Sequence, residues 1–586
     1  MNFNKEEIHM KKSTSYGDAG FSNFIKMAFQ RHLGYDEQDF NKPIIGIANT
    51  YSEINRCHSH VQPMVQAIKH GIIMAGGIPL EFPTISVGEM FTSPTTMLYR
   101  NLVAMDTEEM ITAQPIDGVV LIGGCDKMAP AQLMGAASAN KPAILFTGGP
   151  MDNGEYNGKT LGACSDCRFF WQEYQGGTVD EKEINEINEQ LAPTAGHCMV
   201  MGSASTIASC AEALGMMLPG AAAAPATVNE RLRLAKETGK AIVHLVEKDI
   251  RPSDIMTEKA FDNAVRTLMA IGGSTNAVIH LIAIARRLGI NLTLDRFDEL
   301  SKTTPFLANL RPAGEYQMKE FYYAGGVPVV LKELSPLLHL DERTVTGETL
   351  KDNLASTWRN PTYDHVIRPY EAPLYEEGGI AVLKGNLSPN GSVIKPKAIV
   401  NERFLKHKGK AVVFTSLEDM EKRVNDPDLE VDENSVLVLQ NAGPVGAPGM
   451  PEAGMIPIPK KLLKEGVRDM VRLSDCRMSG TAFGTVILHV APEAAVGGPI
   501  GLIRDGDWIE LDVANRKLAL LVSDEVLAER KNAWHAPETA PENKRGYKWL
   551  YRRHVLQADE GCDFDFALPE GKETMELTTA KSGDTI

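Results

Sequence analysis

The chain has 586 residues, 43% of them hydrophobic and 23% charged, a composition able to bury two or three large cores, which excludes disorder as the main state and any single small module. Lys and Arg number 60 against 76 Asp and Glu, a net charge of −16 with no basic block along the chain. That balance argues against nucleic acid or an anionic membrane as partner, and it requires any anionic substrate to be held by local chemistry such as a metal ion.

Taken in chain order, β-branched runs alternate with helical patterns. Residues 43–48 are predicted as a strand, 61–75 as a helix, 119–123 as a strand, 131–139 as a helix and 143–146 as a strand. This βαβ rhythm predicts an α/β domain with a mostly parallel sheet. Helical patterns follow at 206–218, 229–246 and 261–288. The long weakly charged stretch 202–229 contains Glu212, Pro219 and Pro225 and is rich in Ala, so a buried helix followed by a loop is expected there, not a membrane span. Between 356 and 377 the chain turns irregular and rich in Pro and Tyr, which sets the expected division into residues 1–375 and 376–586. Beyond it, short strands at 380–383, 411–414, 435–439, 485–488, 508–512 and 517–522 predict a β-rich, barrel-like second domain. Aromatic residues Tyr547, Trp549 and Tyr551 in the tail are expected to pack on a neighbouring surface.

Eight cysteines are too sparse for a disulfide scaffold, and the start Met1-Asn2-Phe3-Asn4-Lys5-Glu6-Glu7 offers no apolar signal core, so reduced thiols in the cytosol are expected. Gly154-Glu-Tyr-Asn-Gly158-Lys159-Thr160 is one residue short of a phosphate loop, and no strand-linked GxGxxG supports nucleotide binding. Cys164-Ser-Asp-Cys167 has no second CxxC to complete a zinc site, and its roles stay open. Cys210 and Cys476 read as buried small hydrophobes.

Three other cysteines stand among Gly, His and polar residues: Asn55-Arg-Cys57-His58-Ser-His60, Gly123-Gly-Cys125-Asp126-Lys127 and Gly196-His-Cys198. Cys125 directly follows a predicted strand, where functional groups collect in parallel sheets, and its neighbours Asp126 and Lys127 are costly to bury without a partner or a metal. Glu89 and Glu452 lie in Gly/Pro-rich loops that could present a carboxylate to Mg²⁺, although either alone could be a solvated loop acid.

These motifs, with Gly272-Gly-Ser-Thr-Asn-Ala277, Gly385-Asn-Leu-Ser-Pro-Asn-Gly391 and Asp475-Cys-Arg-Met-Ser479-Gly480-Thr, resemble the dihydroxy-acid and phosphogluconate dehydratase family from about residue 15 to 565. Phe82-Pro-Thr-Ile-Ser-Val-Gly-Glu89 and the stretch 551–565 resemble its sugar-acid branch, exemplified by L-arabinonate and D-xylonate dehydratases. The branched-chain amino-acid enzymes usually carry Asp-Gly-Ile-Ala-Met-Gly where Glu89 stands. Cys476, where Gly or Ala is commoner, is a further departure and touches no implied role.

The resemblance implies a hydro-lyase that dehydrates an aldonic acid to its 2-keto-3-deoxy acid. It implies an iron–sulfur cluster held by Cys57, Cys125 and Cys198, 2Fe–2S in preference to 4Fe–4S, with one iron left open as a Lewis acid. It further implies Mg²⁺ held by Glu89, Asp126, Glu452 and a carboxylated Lys127, whose neutral amine burial is expected to favour. Ser479 is the implied base, acting as an alkoxide. Carrying Glu452 and Ser479 on the second domain and the other ligands on the first places the expected site between the two. His58, His60 and His197 are expected as supporting groups beside the cluster, while His489 and His554 are unplaced. A homodimer or homotetramer with a small sugar-acid substrate is expected, without nucleic acid or membrane. The alternatives are a dihydroxy-acid dehydratase of branched-chain amino-acid synthesis and a non-catalytic iron–sulfur sensor.

Overall fold

A computed structural model describes residues 19–163, 165–538 and 540–569. Cys164 of the CxxC pair lies outside these residues. The first part opens with helix α1 (Ala19–His32) and builds a four-stranded sheet from β1 (Ile44–Asn49), β2 (Ile78–Pro83), β3 (Gly118–Gly123) and β4 (Ala143–Thr147). The sheet order is β2-β1-β3-β4 and every pairing is parallel, with Ile45 against both Pro79 and Gly118 and Val119 against Ala143. Helices α2 (Gln62–Met74), α3 (Thr96–Ala113) and α4 (Met128–Ala139) connect successive strands, as parallel pairing demands. The wholly buried β3 and β4 are continuous runs of Val, Ile, Leu and Phe, the composition of strands covered on both faces.

Sequence periodicity misses β2, whose Pro79 and Pro83 read as breakers. The strand lies at the sheet edge, where proline is tolerated. The phosphate-loop lookalike folds as a hairpin of β5 (Gly154–Tyr156) and β6 (Lys159–Leu161), closed by Asn157 and Gly158 at φ +50° and +74°. The expected helix at 261–288 is two helices, Glu258–Ala270 and Asn276–Arg287. The Gly272-Gly273 pair breaks the pattern, and the Ser274 backbone N–H leaves the helix to donate to Thr206 Oγ1 at 3.0 Å. The stretch at 202–229 forms helix Ser203–Ala213 and then turns, and buried Glu212 accepts the backbone N–H groups of Gly220 and Ala222 at 2.7 and 2.8 Å. Among the described residues no helix is long and apolar enough to cross a membrane.

The second part is a closed barrel of eight strands: β7 (Ala381–Gly385), β8 (Ser388–Ile394), β9 (Lys406–Phe414), β10 (Val436–Leu439), β11 (Val471–Ser474), β12 (Val486–Ala491), β13 (Trp508–Asp512) and β14 (Lys517–Leu520). Around the barrel the order is β10-β11-β12-β8-β7-β14-β13-β9. Strands β9 to β12 pair in parallel, while β12–β8, β8–β7, β14–β13 and β13–β9 are antiparallel.

Two apolar layers follow from strand alternation. On β8, Ile394 points into the barrel core with Val413, Val438 and Leu473, while Val393 faces the other way and joins the core of the first sheet. Val382, Val486 and Leu488 join that shared core too, so sheet and barrel are packed together. After the barrel the chain returns to the first part: Tyr551, Val555, Cys562 and Phe564 pack with Met97, Leu98 and Ile279.

Candidate active site between the sheet and the barrel

All four strands of the first sheet point the same way, and the loops at their carboxyl ends carry the residues singled out in the sequence. Cys57 follows β1, Glu89 follows β2, and Cys125, Asp126 and Lys127 follow β3. The barrel repeats the pattern. Glu452 lies in the loop after β10 and Ser479 in the loop after β11, two parallel neighbours.

These loops meet. Carboxylate oxygens of Glu89, Asp126 and Glu452 all lie within 4.8 Å of one another. Between them stands the fully buried Lys127 amine, 3.4 Å from Glu89, 3.1 Å from Glu452 and in close contact with Asp126. Oxygen-only donors at this spacing suit a hard divalent cation, and the ammonium is the cation they surround here.

Each carboxylate is fixed from behind. Glu89 sits at the N-terminus of α3, where Thr95 Oγ1 donates to it at 2.8 Å, the Thr96 N–H at 3.2 Å and the Thr96 hydroxyl more closely. Glu452 accepts from Asn276 Nδ2 at 3.1 Å and from Arg477 Nη1 at 3.0 Å. Buried Arg477 also donates to Thr95 Oγ1 at 3.1 Å and to the Met450 carbonyl at 2.8 Å, so one guanidinium ties both carboxylate loops together.

The electrostatics follow from this crowding. Burial works against the Glu452 charge, but Lys127 and Arg477 outweigh it and hold the carboxyl down at about 2. Burial, with Glu89 and Glu452 nearby, raises the Asp126 carboxyl despite Lys127. Sequence reasoning expects burial to hold the Lys127 amine down, and here the structure reverses the expectation. Burial does pull it down, but Asp126, Glu452 and Glu89 together outweigh burial and keep the amine well above its ordinary value.

Ser479 is placed beside Glu452 by backbone pairing: Met478 bridges Ala453, and the Gly454 N–H donates to the Arg477 carbonyl at 2.8 Å. Its hydroxyl lies 2.8 Å from Thr481 Oγ1. The next residue, Gly480, is pressed against the first part, where a Cβ would lie 2.5 Å from the Ser203 nitrogen and 2.6 Å from the Ser274 hydroxyl. Ser203 in turn accepts from Asn276 Nδ2 at 2.9 Å, which closes a buried chain of polar groups from Ser274 to Glu452.

On the thiol side, Cys57 and Cys125 are neighbours. Contact with Cys57, then burial, pushes the Cys125 thiol well above the usual thiol range. Cys198 stands half-buried on the loop whose His197 bridges Pro150, just past β4, and the His197 ring comes near His60 and His58. The Cys125 backbone N–H donates to His58 Nε2 at 2.6 Å, so that nitrogen's lone pair is engaged, and Nδ1 donates to the Thr50 carbonyl at 3.0 Å. Burial lowers His58 to about 4 and His197 to about 3, which keeps both rings neutral. His60 Nε2 donates to the Gly148 carbonyl at 3.1 Å. These contacts make His58 a support for the Cys125 turn. Elsewhere, His489 is buried on β12, and His554 pairs with Asp565 at 3.0 Å near the surface.

Sequence reasoning gives no role to Arg477 or Asn276, although both lie inside quoted motifs. The structure alone reveals the first, as a fully buried Arg two residues before the implied base.

Comparison with known proteins identifies the family. The model for the N-terminal part of dihydroxy-acid/6-phosphogluconate dehydratases matches residues 42–353, and that for the C-terminal part matches residues 365–562. The chain is 47% identical over 556 residues to an L-arabinonate dehydratase of Rhizobium leguminosarum bv. trifolii, covering 94% of this chain and 95% of that one. It is 47% identical over 550 residues to a 6-deoxy-6-sulfo-D-gluconate dehydratase of Pseudomonas putida, covering 92% and 94%. A dihydroxy-acid dehydratase of Saccharolobus islandicus is 40% identical over 551 residues, covering 93% and 97%. With both parts of the family pattern present in order and relatives aligned over nearly their whole length, this chain belongs to the dihydroxy-acid/6-phosphogluconate dehydratase family, on its sugar-acid branch.

Proposed function

We propose that this chain dehydrates an aldonic acid, removing the C2 proton and the C3 hydroxyl to leave a 2-keto-3-deoxy acid. The observation that carries the reading is the convergence of Glu89, Asp126 and Glu452, from both parts of the fold, around Lys127 and beside Ser479. The three carboxylates fit Mg²⁺ by donor chemistry, and the neighbouring Cys57 and Cys125 thiols, with Cys198 on the adjoining loop, fit an iron–sulfur cluster, read here as 2Fe–2S. When bound, these groups supply Lewis acidity for the substrate carboxylate and for the departing hydroxide.

The chain's own residues then have defined tasks. Ser479 takes the C2 proton, and Thr481, in contact with its hydroxyl, orients it. Arg477 and Asn276 hold Glu452 in place, and Thr95 and Thr96 hold Glu89. Lys127 would serve as a carboxylated ligand, with its ammonium no longer needed as countercharge once a divalent ion is bound among the carboxylates. Held by Glu89, Asp126 and Glu452, such an ion would also offset the chain's net charge of −16 where an anionic substrate must enter. We place the enzyme in the cytosol, where the ligand thiols stay reduced, as a homodimer or homotetramer. Met90 and Phe91, 78% and 73% exposed beside Glu89, support an oligomer.

The test is a keto-acid assay on anaerobically reconstituted protein with pentonates, hexonates, a hexonate carrying a charged C6 group, and 2,3-dihydroxyisovalerate. Turnover of at least one aldonic acid in excess of dihydroxyisovalerate is expected. Turnover of dihydroxyisovalerate alone would assign the chain to branched-chain amino-acid synthesis. No turnover by cluster-loaded protein would leave a sensor.

A further inference from the structure

The loop that carries Glu452 leaves β10 at residue 440 and holds few ladder bonds of its own. Its first turn is held by a carboxylate from elsewhere. Glu493, buried just after β12, accepts the Val445 N–H at 2.9 and 3.1 Å into its two oxygens and the Gly446 N–H at 2.9 Å. Gly443 makes room for it, since a Cβ there would lie 2.6 Å from Glu493 Oε2.

On its other side Glu493 meets the C-terminal segment. Gln557 Nε2 donates to Glu493 Oε1 at 2.9 Å, and the Glu493 N–H donates back to Gln557 Oε1 at 3.0 Å. Arg552 Nε donates to the Val445 carbonyl at 3.1 Å. Among the described residues, every group hydrogen-bonded to the Glu493 carboxylate is therefore a donor, a pattern that a carboxylate satisfies and an amide does not. The same segment is anchored in the first part of the fold, where Arg100 Nη2 reaches the Gly561 and Cys562 carbonyls at 2.9 and 2.8 Å and Arg287 pairs with Asp563 at 2.6 Å. The far end of the loop rests there too: a Cβ on Gly449 would lie 2.6 Å from the Leu98 nitrogen, one turn from the threonines that hold Glu89.

We propose that Glu493 and Gln557 are positioning residues for the divalent-cation site, through which the C-terminal segment sets the Glu452 loop against Glu89 and Asp126. The proposal rests on reading Glu452 as a ligand of that cation.

The experiment measures Mn²⁺ binding, by the paramagnetic signal of the free ion, to the anaerobically purified full chain after removal of divalent ions. Glu493→Gln is expected to weaken binding about 10-fold or more, the range for residues that orient a metal ligand. Combining Glu493→Gln with Gln557→Glu again sets donors against acceptors and is expected to recover most of the loss, which a general loss of packing would not do. Should Glu493→Gln fail to fold, Gln557→Ala carries the test, with an expected loss of about 5-fold for one hydrogen bond. Wild-type affinity in folded Glu493→Gln, or in Gln557→Ala where that variant carries the test, overturns the proposal. A Glu452→Gln control separates the two readings. Undiminished binding in that control overturns the ligand reading and the proposal with it, whereas weakened binding there with unchanged binding in Glu493→Gln overturns the proposal alone.

Discussion

The two halves of the candidate site are held in different ways. In the first half, Asp126 and Lys127 sit on the turn between β3 and α4, a fully buried strand and a nearly fully buried helix, so the backbone of regular elements fixes them. In the second half, Glu452 and Ser479 lie on long loops after four-residue strands, and what fixes them is buried polar side chains: Arg477, Asn276, Ser203 and Glu493. A ligand on a strand end inherits its position from the sheet. A ligand on an irregular loop needs partners brought from distant parts of the chain, and each buried partner must itself be satisfied.

The largest effect expected is on chemistry alone. Ser479→Ala removes a hydroxyl whose one side-chain hydrogen bond among the described residues is to Thr481 Oγ1, so melting temperature and Mn²⁺ affinity should stay near wild type while kcat falls by about 10²- to 10⁴-fold. Activity within a few-fold of wild type would mean that another group is the base.

Next comes the anchor of the C-terminal segment. Arg287 is buried against Asp563 and also reaches Glu108 and Ser138, each at 3.0 Å. Arg287→Leu leaves Asp563 buried without its cation and is expected to cost about 3 kcal/mol or more, read by chemical denaturation. If the second half depends on that segment, Mn²⁺ affinity of the folded protein should fall as well. Lost stability with intact affinity would break the contrast between the halves.

A smaller effect is expected at the seam. Gly480→Ala pushes a methyl group into Ser203 and Ser274, an overpacking of about 1–3 kcal/mol that the Ser479 loop can relieve by moving outward. The expected signature is a drop in kcat larger than the drop in stability. Equal drops would mean that the loop is no softer than the sheet.

The same contrast governs what could be read from the sequence. The parallel sheet was legible because buried β-branched runs alternate with helical periods, and most barrel strands were legible from their short apolar runs. The exceptions are strands whose residues look wrong until their neighbours are known. β2 and β8 carry proline, and β11 places Arg472 in a barrel wall, where Asp469 answers its charge at 2.8 Å. In the site, the thiols, carboxylates and serine were legible through motifs. Arg477, Asn276 and Glu493 were not given roles, because nothing local marks a side chain whose partner lies more than 20 residues away. The direction of the Lys127 shift was misjudged for a related reason: burial is a property of one residue, but the opposing field comes from three carboxylates that only the fold assembles.

The smallest effect tests whether the barrel wall behind Ser479 is as rigidly buried as the first sheet. His489 on β12 is buried with Nε2 unpartnered, and burial, with Arg477 adding, lowers its ring to about 3. Its folded value therefore lies below the ordinary one near 6.5, and between the two the unfolded chain binds the extra proton. Stability supplied by the neutral ring is present above about pH 6.5 and is lost as pH falls towards 3. Other buried groups oppose this trend: burial raises Glu212 and Glu493 to about 7, and their contributions fade instead as pH rises. The difference between wild type and His489→Asn isolates the histidine, and asparagine tolerates the φ of +56° found there. Wild type should lose about 1 kcal/mol relative to the variant between pH 6 and 5, measured by denaturant unfolding. A difference that does not change with pH would show that the ring reaches water, and that this wall opens more readily than the first sheet.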